Sequence, residues 1–317
     1  MRDRATPGGD NQPRELLGHS ELALTRAEQS KTQRVVFYDP SIDECHRSRS
    51  ALSIELKSAI ERDELKLFYQ PQIDVASGNL IGFEVLLRWF HPERGLVPPD
   101  EFIPIAEETG LIVPIGEWVL RTACVEASKW KNPYKIAVNV ATAQLATGDL
   151  PMIILDILGR TGLSAKRLEL EITETSIIDD HHHTLNIVRQ LKQLGISIAM
   201  DDFGTGYSSL SMLQTFPFDK IKIDRSFISG VSNSDQSSAI ARATIVLAEG
   251  LKMKTLAEGV EDEDDLAFLR QNGCLEAQGY FFGKPVPIEE IEHLVNADLE
   301  TTDEDEPQKV FQLSRVI

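Results

Sequence analysis

From Leu65 onward the chain repeats two hydrophobic rhythms in alternation. Short apolar runs, LKLFYQPQID, LIGFEVLLRW, KIAVNVA, RLELEIT, ISIAM, KIKID, KTLAE and LEAQGYF, carry the β-branched and aromatic residues that predict strands. Between most of them lie stretches with helical spacing, such as GEWVLRTACVEASKW, HHHTLNIVRQLKQLG, SSAIARATIVLAEGL and DDLAFLRQNG. Several of these close on a Gly or Asn that can supply a helix C-cap. Eight such units over about 230 residues predict an α/β fold, a (β/α)8 TIM-like barrel covering residues 49–297. A doubly wound sheet is the alternative, but the glycine-rich first turn that marks it is missing.

The flanks follow different patterns. Residues 1–12 are rich in Gly, Pro and Asn and predict a disordered start, after which ELLGHSELALTRAEQ has helical spacing and RVVFYDP reads as a short strand. Residues 41–63 predict a linking helix. The last stretch, 298–317, gathers Asp298, Glu300, Asp303, Glu304, Asp305 and Glu306 and predicts a solvated acidic tail.

The stretch that the barrel pattern is organised around is MDDFGTGYSSL, from Met200 to Leu210. Asp201 and Asp202 follow an apolar strand, Phe203 to Gly206 predict a flexible turn, and a helix is expected to begin over Tyr207–Leu210. A lone Asp pair could be a helix N-cap. In a barrel of this kind, however, chemistry gathers at the C-terminal ends of the strands. Those ends carry Glu84, Asn139, Glu171, Asp201 with Asp202, Lys222, Glu258 and Gln278 in succession. Carboxylates and one amide, without His or Cys, are hard oxygen donors suited to Mg2+ or Mn2+ rather than zinc. Two ions sharing a bridging carboxylate are a common device for attack of water on a phosphodiester, and Lys222 would add a fixed positive charge.

Charge and composition narrow the possibilities further. A formal charge of -18 argues against binding to duplex DNA or RNA, which needs a basic face. Divalent cations held by some of those acids would still admit a phosphorylated substrate. The polar start is no signal peptide and no run of about 18 apolar residues occurs, so a cytoplasmic protein without a membrane span is expected. Cys45, Cys124 and Cys274 are widely spaced and read as reduced thiols. His181, His182 and His183 sit at the predicted start of a helix, where neighbouring residues do not share a face, so no metal site is expected there.

The ordered segments FYQP, EVLLRW with HPERG, FIPIAEETGLI, VNVATAQL, LELEITET, DDFGTGYSSL, KIKIDRSFI, AEGVE and QGYFFGKP resemble the motif series of EAL-domain cyclic di-GMP phosphodiesterases, from about Leu65 to Val295. Residues 1–48 resemble, more distantly, a remnant of the C-terminal end of a GGDEF domain; the cyclase signature is absent. The first resemblance implies metal-dependent hydrolysis of cyclic di-GMP to linear pGpG by a homodimer, with two Mg2+ or Mn2+ ions as cofactors. It implies one ion held by Glu84, Asn139, Glu171 and Asp201, and a second by Asp201, Asp202 and Glu258. Lys222 matches the catalytic lysine. Gln278 and Glu261 match residues that orient the water, the lysine or the ligands, and Glu174 matches one that steadies the loop after Asp202. Gln70 and Arg88 match substrate contacts, and Tyr280 and Pro285 are candidates for the base pocket. The competing expectations are a catalytically silent cyclic di-GMP receptor and a pure interaction module.

Overall fold

The computed structural model describes Ser20, Leu24 and residues 40–178, 180–204, 210–231 and 234–297. The chain divides into two units, Met1–Ser58 and Ala59–Ile317. The first contains helix α1 (Pro40–Leu56), which overlaps the linking helix expected over 41–63 but ends seven residues short of it. Most of the segment resembling a GGDEF end, and all of the acidic tail, lie outside the described residues.

The second unit opens with β1 (Leu65–Asp74), β2 (Leu80–His91) and β3 (Gly95–Val97), followed by α2 (Pro99–Glu108) and α3 (Ile112–Ser128). Proline in the first turn of α2, with Asp100 and Glu101 beside it, suits a helix start, because the missing N–H is an unpaired donor anyway and acids favour the positive end of the dipole. The chain continues through β4 (Lys135–Val140), α4 (Thr142–Ala146), α5 (Leu150–Thr161), β5 (Leu168–Thr173), α6 (Thr175–Ile178), α7 (His181–Gln193) and β6 (Ser197–Phe203). Then come α8 (Leu210–Thr215), β7 (Lys220–Ile223), α9 (Asp235–Gly250), β8 (Lys254–Ala257), α10 (Glu263–Gln271), β9 (Glu276–Gln278), β10 (Val286–Pro287) and α11 (Ile288–Val295).

Strands β2, β4, β5, β6, β7, β8 and β9 pair in parallel in that order, and β1 closes the barrel between β9 and β2. The predicted barrel is therefore present, with one departure. β1 runs antiparallel to both neighbours, pairing Gln70 with Glu84 and Gln72 with Gln278. It leads into β2 through a tight turn with no intervening helix, because only five residues, 75–79, separate the two strands. LEAQGYF also departs from expectation, forming a strand over only Glu276–Gln278. A Cβ on Gly279 would lie 2.1 Å from the Val260 carbonyl oxygen, so the chain leaves the sheet there by pressing against the segment after β8.

Period-two alternation along the strands separates two interiors. In β7, Ile221 and Ile223 face the helical layer while Lys220 and Lys222 alternate with them, all four being buried. In β5, Leu168, Leu170 and Ile172 alternate in the same way with Glu169 and Glu171. The apolar core accordingly lies between wall and helices: Ile223, Ala257 and Ala277 pack with Ala241 and Ile245 of α9 and Leu266 and Leu269 of α10. What the strands enclose is polar, in contrast to the Val, Ile and Leu layers that usually fill such barrels.

Candidate active site

Lys222 stands at the centre of the polar interior, 1% exposed. Its Nζ lies 2.6 Å from Glu171 Oε2, 2.7 Å from Glu258 Oε1, 3.0 Å from Asp201 Oδ1 and 3.8 Å from Glu84 Oε1. Three strands and a loop thus bring their acids to the ammonium carried by a fourth strand, β7. Glu84 is held on its other side by Asn139, whose Nδ2 donates to Oε1 at 2.8 Å, and by Gln278, whose Nε2 donates to Oε2. Seven residues expected at strand ends therefore form one hydrogen-bonded and ionic group, with Asp202 adjoining through its neighbour. Glu84 is the positional exception: it is the fifth residue of β2 rather than its end, because β2 runs on past the barrel to pair Trp89, Phe90 and His91 with β3.

Local backbone explains how the acids are presented. The β6–β7 register shifts between Met200 and Phe203, a bulge that falls on the two aspartates. Asp202 has φ +55°, a left-handed conformation that Asp tolerates better than most residues, and its N–H donates to Asp201 Oδ1 at 3.0 Å. Gly259 has φ +72°, and a Cβ there would lie 2.5 Å from Arg225 Cβ, so only glycine lets the chain turn directly after Glu258. The Glu258 N–H donates to the Ile223 carbonyl at 3.0 Å, tying that acid to the end of β7.

The group is electrically unbalanced. Glu84, Glu171, Asp201, Asp202 and Glu258 face a single ammonium. Burial, with the neighbouring charges of Glu84, Asp201 and Glu258, pushes Glu171 well above the usual carboxylate range despite Lys222. Burial likewise raises Glu258 to about 8, Asp201 and Glu84 adding to the effect and Lys222 opposing it. Asp202 moves up through burial and the Asp201 charge. Burial acts to raise Glu84 as well, but Lys222 and the hydrogen bonds from Gln278 and Asn139 outweigh it and hold this carboxyl low. Burial acts to lower Lys222, and the surrounding acids outweigh it, keeping the ammonium protonated.

This donor set suits a hard divalent cation. Its surplus is anionic, its atoms are oxygens, and Glu171 Oε1 is buried with no hydrogen-bond partner among the described residues. Among the described residues, no three His, Cys, Asp or Glu side chains are already arranged around a metal-sized point, because the acids close on the Lys222 ammonium instead. Lys222 is the charge they share.

A cleft opens beside the group, lined by Gln70, Arg88, Arg225, Glu261, Tyr280 and Pro285 together with Glu84, Asp201, Lys222, Glu258 and Gln278. Arg88 faces it because alternation sends the adjacent Trp89 into the core against Phe102. The Arg88 guanidinium lies 5.7 Å from the centroid of the Phe68 ring, and its Nη1 donates to the Leu87 carbonyl at 2.9 Å. A second cleft shares Leu86, Arg88 and Asp201 with the first and adds Asn139 and Asp202. Glu261 is exposed at the cleft's rim and Tyr280 is 62% exposed. Glu174 is buried in the turn between β5 and α6, and the loop it was expected to steady, residues 205–209, is outside the described residues. His181 begins α7 as expected, packing on Phe216, and Asp180 caps the helix by accepting from the His183 N–H at 3.0 Å.

Five further residues contribute that the sequence pattern did not single out. Arg225 lines the cleft. Gln72 donates to Gln278 Oε1 at 3.1 Å. Below the site, Lys220 Nζ lies 2.5 Å from Glu169 Oε1 and 2.6 Å from Glu276 Oε2, with all three side chains 3% exposed. The signal for this lower row was present in ELE and KIK, where charged residues alternate with apolar ones two apart.

Comparison with known proteins agrees with this architecture. The family model described as "EAL domain" matches residues 54–285. An uncharacterized signaling protein of Caulobacter vibrioides is 47% identical over 276 residues, covering 87% of this chain and 34% of that protein. The bifunctional diguanylate cyclase/cyclic di-GMP phosphodiesterase MucR of Pseudomonas aeruginosa is 39% identical over 288 residues, covering 89% of this chain and 42% of that one. The chain thus spans well under half the length of these curated relatives. The solved structure of the PaMucR phosphodiesterase in complex with c-di-GMP superposes with a TM-score of 0.73 at 42% identity, covering 76% of this chain and 99% of that one. No helix among the described residues is long and apolar enough to cross a membrane. With the family model covering most of the barrel and the fold shared with that solved domain, the chain belongs to the EAL domain family.

Proposed function

We propose that this chain is a metal-dependent phosphodiesterase that opens cyclic di-GMP to linear pGpG. The observation that carries this is the surplus of carboxylates around Lys222, set against a cleft that contains Arg88, in a chain 42% identical to a phosphodiesterase whose structure is a c-di-GMP complex.

Glu84, Asn139, Glu171 and Asp201 would hold one Mg2+ or Mn2+, and Asp201, Asp202 and Glu258 a second. Such ions, when bound, neutralise phosphate charge and make water a better nucleophile. The protein's own groups divide the remaining work. Lys222, permanently protonated in its cage of acids, supplies fixed positive charge where charge develops on the phosphate. Arg88 grips a non-bridging oxygen with a planar donor pair, and Gln70 adds an amide contact beside it. Gln278 holds the Glu84 carboxylate in place, and Glu258, 2.7 Å from the Lys222 ammonium, helps fix the lysine beside the ions. Glu261 assists from the rim, Glu174 steadies the loop after Asp202, and Tyr280 and Pro285 border the base. Cooperation of two copies in a homodimer belongs to the same proposal, and light scattering of the purified protein decides it.

The test is chromatography of cyclic di-GMP incubated with the protein and Mg2+ or Mn2+, beside a chelator control. Metal-dependent appearance of pGpG supports the proposal. Nucleotide binding without product would replace it with a silent receptor.

A further inference from the structure

An amide side chain carries a donor on one arm and an acceptor on the other, so its usefulness beside a carboxylate depends on which arm points where. Gln278 presents its Nε2 to Glu84 Oε2 and to Gln70 Oε1, the latter at 3.0 Å. Turned over, it would set a carbonyl oxygen against a carboxylate and against a second amide oxygen. Glu84 and Gln70 both line the cleft, so neither anchors Gln278 from the side away from it.

Gln72 does. It lies directly opposite Gln278 in the β1–β9 register, a pairing available only because β1 runs antiparallel. Its Nε2 donates to Gln278 Oε1 at 3.1 Å, committing that oxygen and leaving only the NH2 arm to face Glu84. Gln70 in turn donates to the Gly283 carbonyl at 3.2 Å, so donation runs in one direction from Gln72 through Gln278 to Gln70 and Gly283, with a branch to Glu84. Gln72 is 2% exposed and does not line the cleft. We propose that Gln72 is a positioning residue that fixes the amide polarity of Gln278, and through it the orientation of the Glu84 carboxylate. This rests on the roles given above to Glu84 and Gln278.

Two replacements of nearly equal size separate polarity from packing. Gln72→Met removes the donor, whereas Gln72→Glu replaces it with an acceptor and rewards the turned-over Gln278. Partners that orient a metal-binding side chain are typically worth about 10–100-fold in affinity or activity. Gln72→Glu should therefore lower kcat and the calorimetric affinity for Mn2+ by ~10-fold or more, with KM for cyclic di-GMP changed far less. Gln72→Met should fall between it and wild type. In a Gln278→Met background, Gln72→Glu should lower kcat and Mn2+ affinity no further.

The proposal is overturned if Gln72→Glu leaves both quantities unchanged, if its effect persists undiminished in the Gln278→Met background, or if losses in both Gln72 variants simply follow their melting temperatures. Absence of turnover by the wild-type protein would instead refute the proposed phosphodiesterase. The ranking of Mn2+ affinities would still decide the role of Gln72.

Discussion

Two rows of charged side chains, set two residues apart where they share β5 and β7, reach opposite electrostatic ends. In the lower row, Glu169 and Glu276 close on Lys220, and Lys254 reaches Glu276 Oε1 from the barrel's outer end at 2.8 Å. Burial acts to lower the Lys220 ammonium, but the two glutamates outweigh it and move it up. Burial acts to raise Glu276, and Lys220 outweighs it and moves it down. Lys220 and Glu276 therefore both favour their charged forms. In the upper row, with Glu on β5 and Lys on β7 again, the result differs: Glu171 and the nearby Glu258 are pushed up, because several acids share one ammonium. Buried charge alone therefore does not mark a functional site. Buried charge left uncompensated does, because the desolvation cost is incurred without the partner that would offset it.

The difference can be broken at either row. Asp201→Asn removes a ligand shared by both proposed ions; a loss of several kcal/mol of barrier stabilisation corresponds to a fall in turnover of about 10³-fold. Single-turnover assays at saturating Mn2+ check it, and a change under tenfold would mean that Asp201 is no ligand. Lys220→Met, by contrast, strips from Glu169 the cation it pairs with among the described residues and should cost about 3–5 kcal/mol of folding stability, measured by denaturant titration, with no recovery on adding Mn2+.

The imbalance of the upper row also gives a pH dependence. Glu258 has its carboxyl raised from 4.5 to about 8, so between those values the folded protein binds a proton that the unfolded chain releases. In the presence of a chelator, stability should therefore fall as pH rises through that window and level off above it. The slope is at most about 1.4 kcal/mol per pH unit for one such group, for a total of a few kcal/mol. The raised Glu171 and Asp202 act in the same direction, while Glu84, held low, contributes stability that is lost only on acidification below the usual carboxylate range. Saturating Mg2+ should flatten the slope, and a slope indifferent to Mg2+ would separate the acids from metal binding. The smallest expected effect is at Arg88→Lys, which keeps the charge and loses the planar fork: KM should rise by ~10-fold with kcat nearly unchanged.

The upper row was legible in the sequence because its members close apolar strands, where polar residues are conspicuous. The barrel was legible for the same reason, since period-two and period-3.6 segments alternate along the chain. Three features were not. The direction of β1 depends on closure of the sheet, which no local pattern reports, and with it goes the pairing of Gln72 with Gln278. Glu84 was grouped with the strand ends although the predicted strand LIGFEVLLRW itself runs on to Trp89; what the sequence did not announce is the hairpin that the far end of β2 makes with Gly95–Val97. Lys220, Glu169 and Glu276 each looked like an ordinary charged residue; only the shared height of β5, β7 and β9 in the closed barrel brings them within 2.6 Å. Residues 205–209, singled out by the sequence, lie outside the described structure.

We propose that function resides in the unbalanced row and stability in the balanced one. The most direct test compares Glu171→Gln with Glu169→Gln, the same isosteric neutralisation two residues apart, by thermal melting in chelator and by cyclic di-GMP turnover in Mn2+. The prediction is a crossed result: Glu171→Gln melts at or above the wild-type temperature and turns over little or no substrate, while Glu169→Gln melts lower and retains more of its activity. Both variants losing stability and activity in parallel would contradict the account, for the two rows would then be one structural element rather than two.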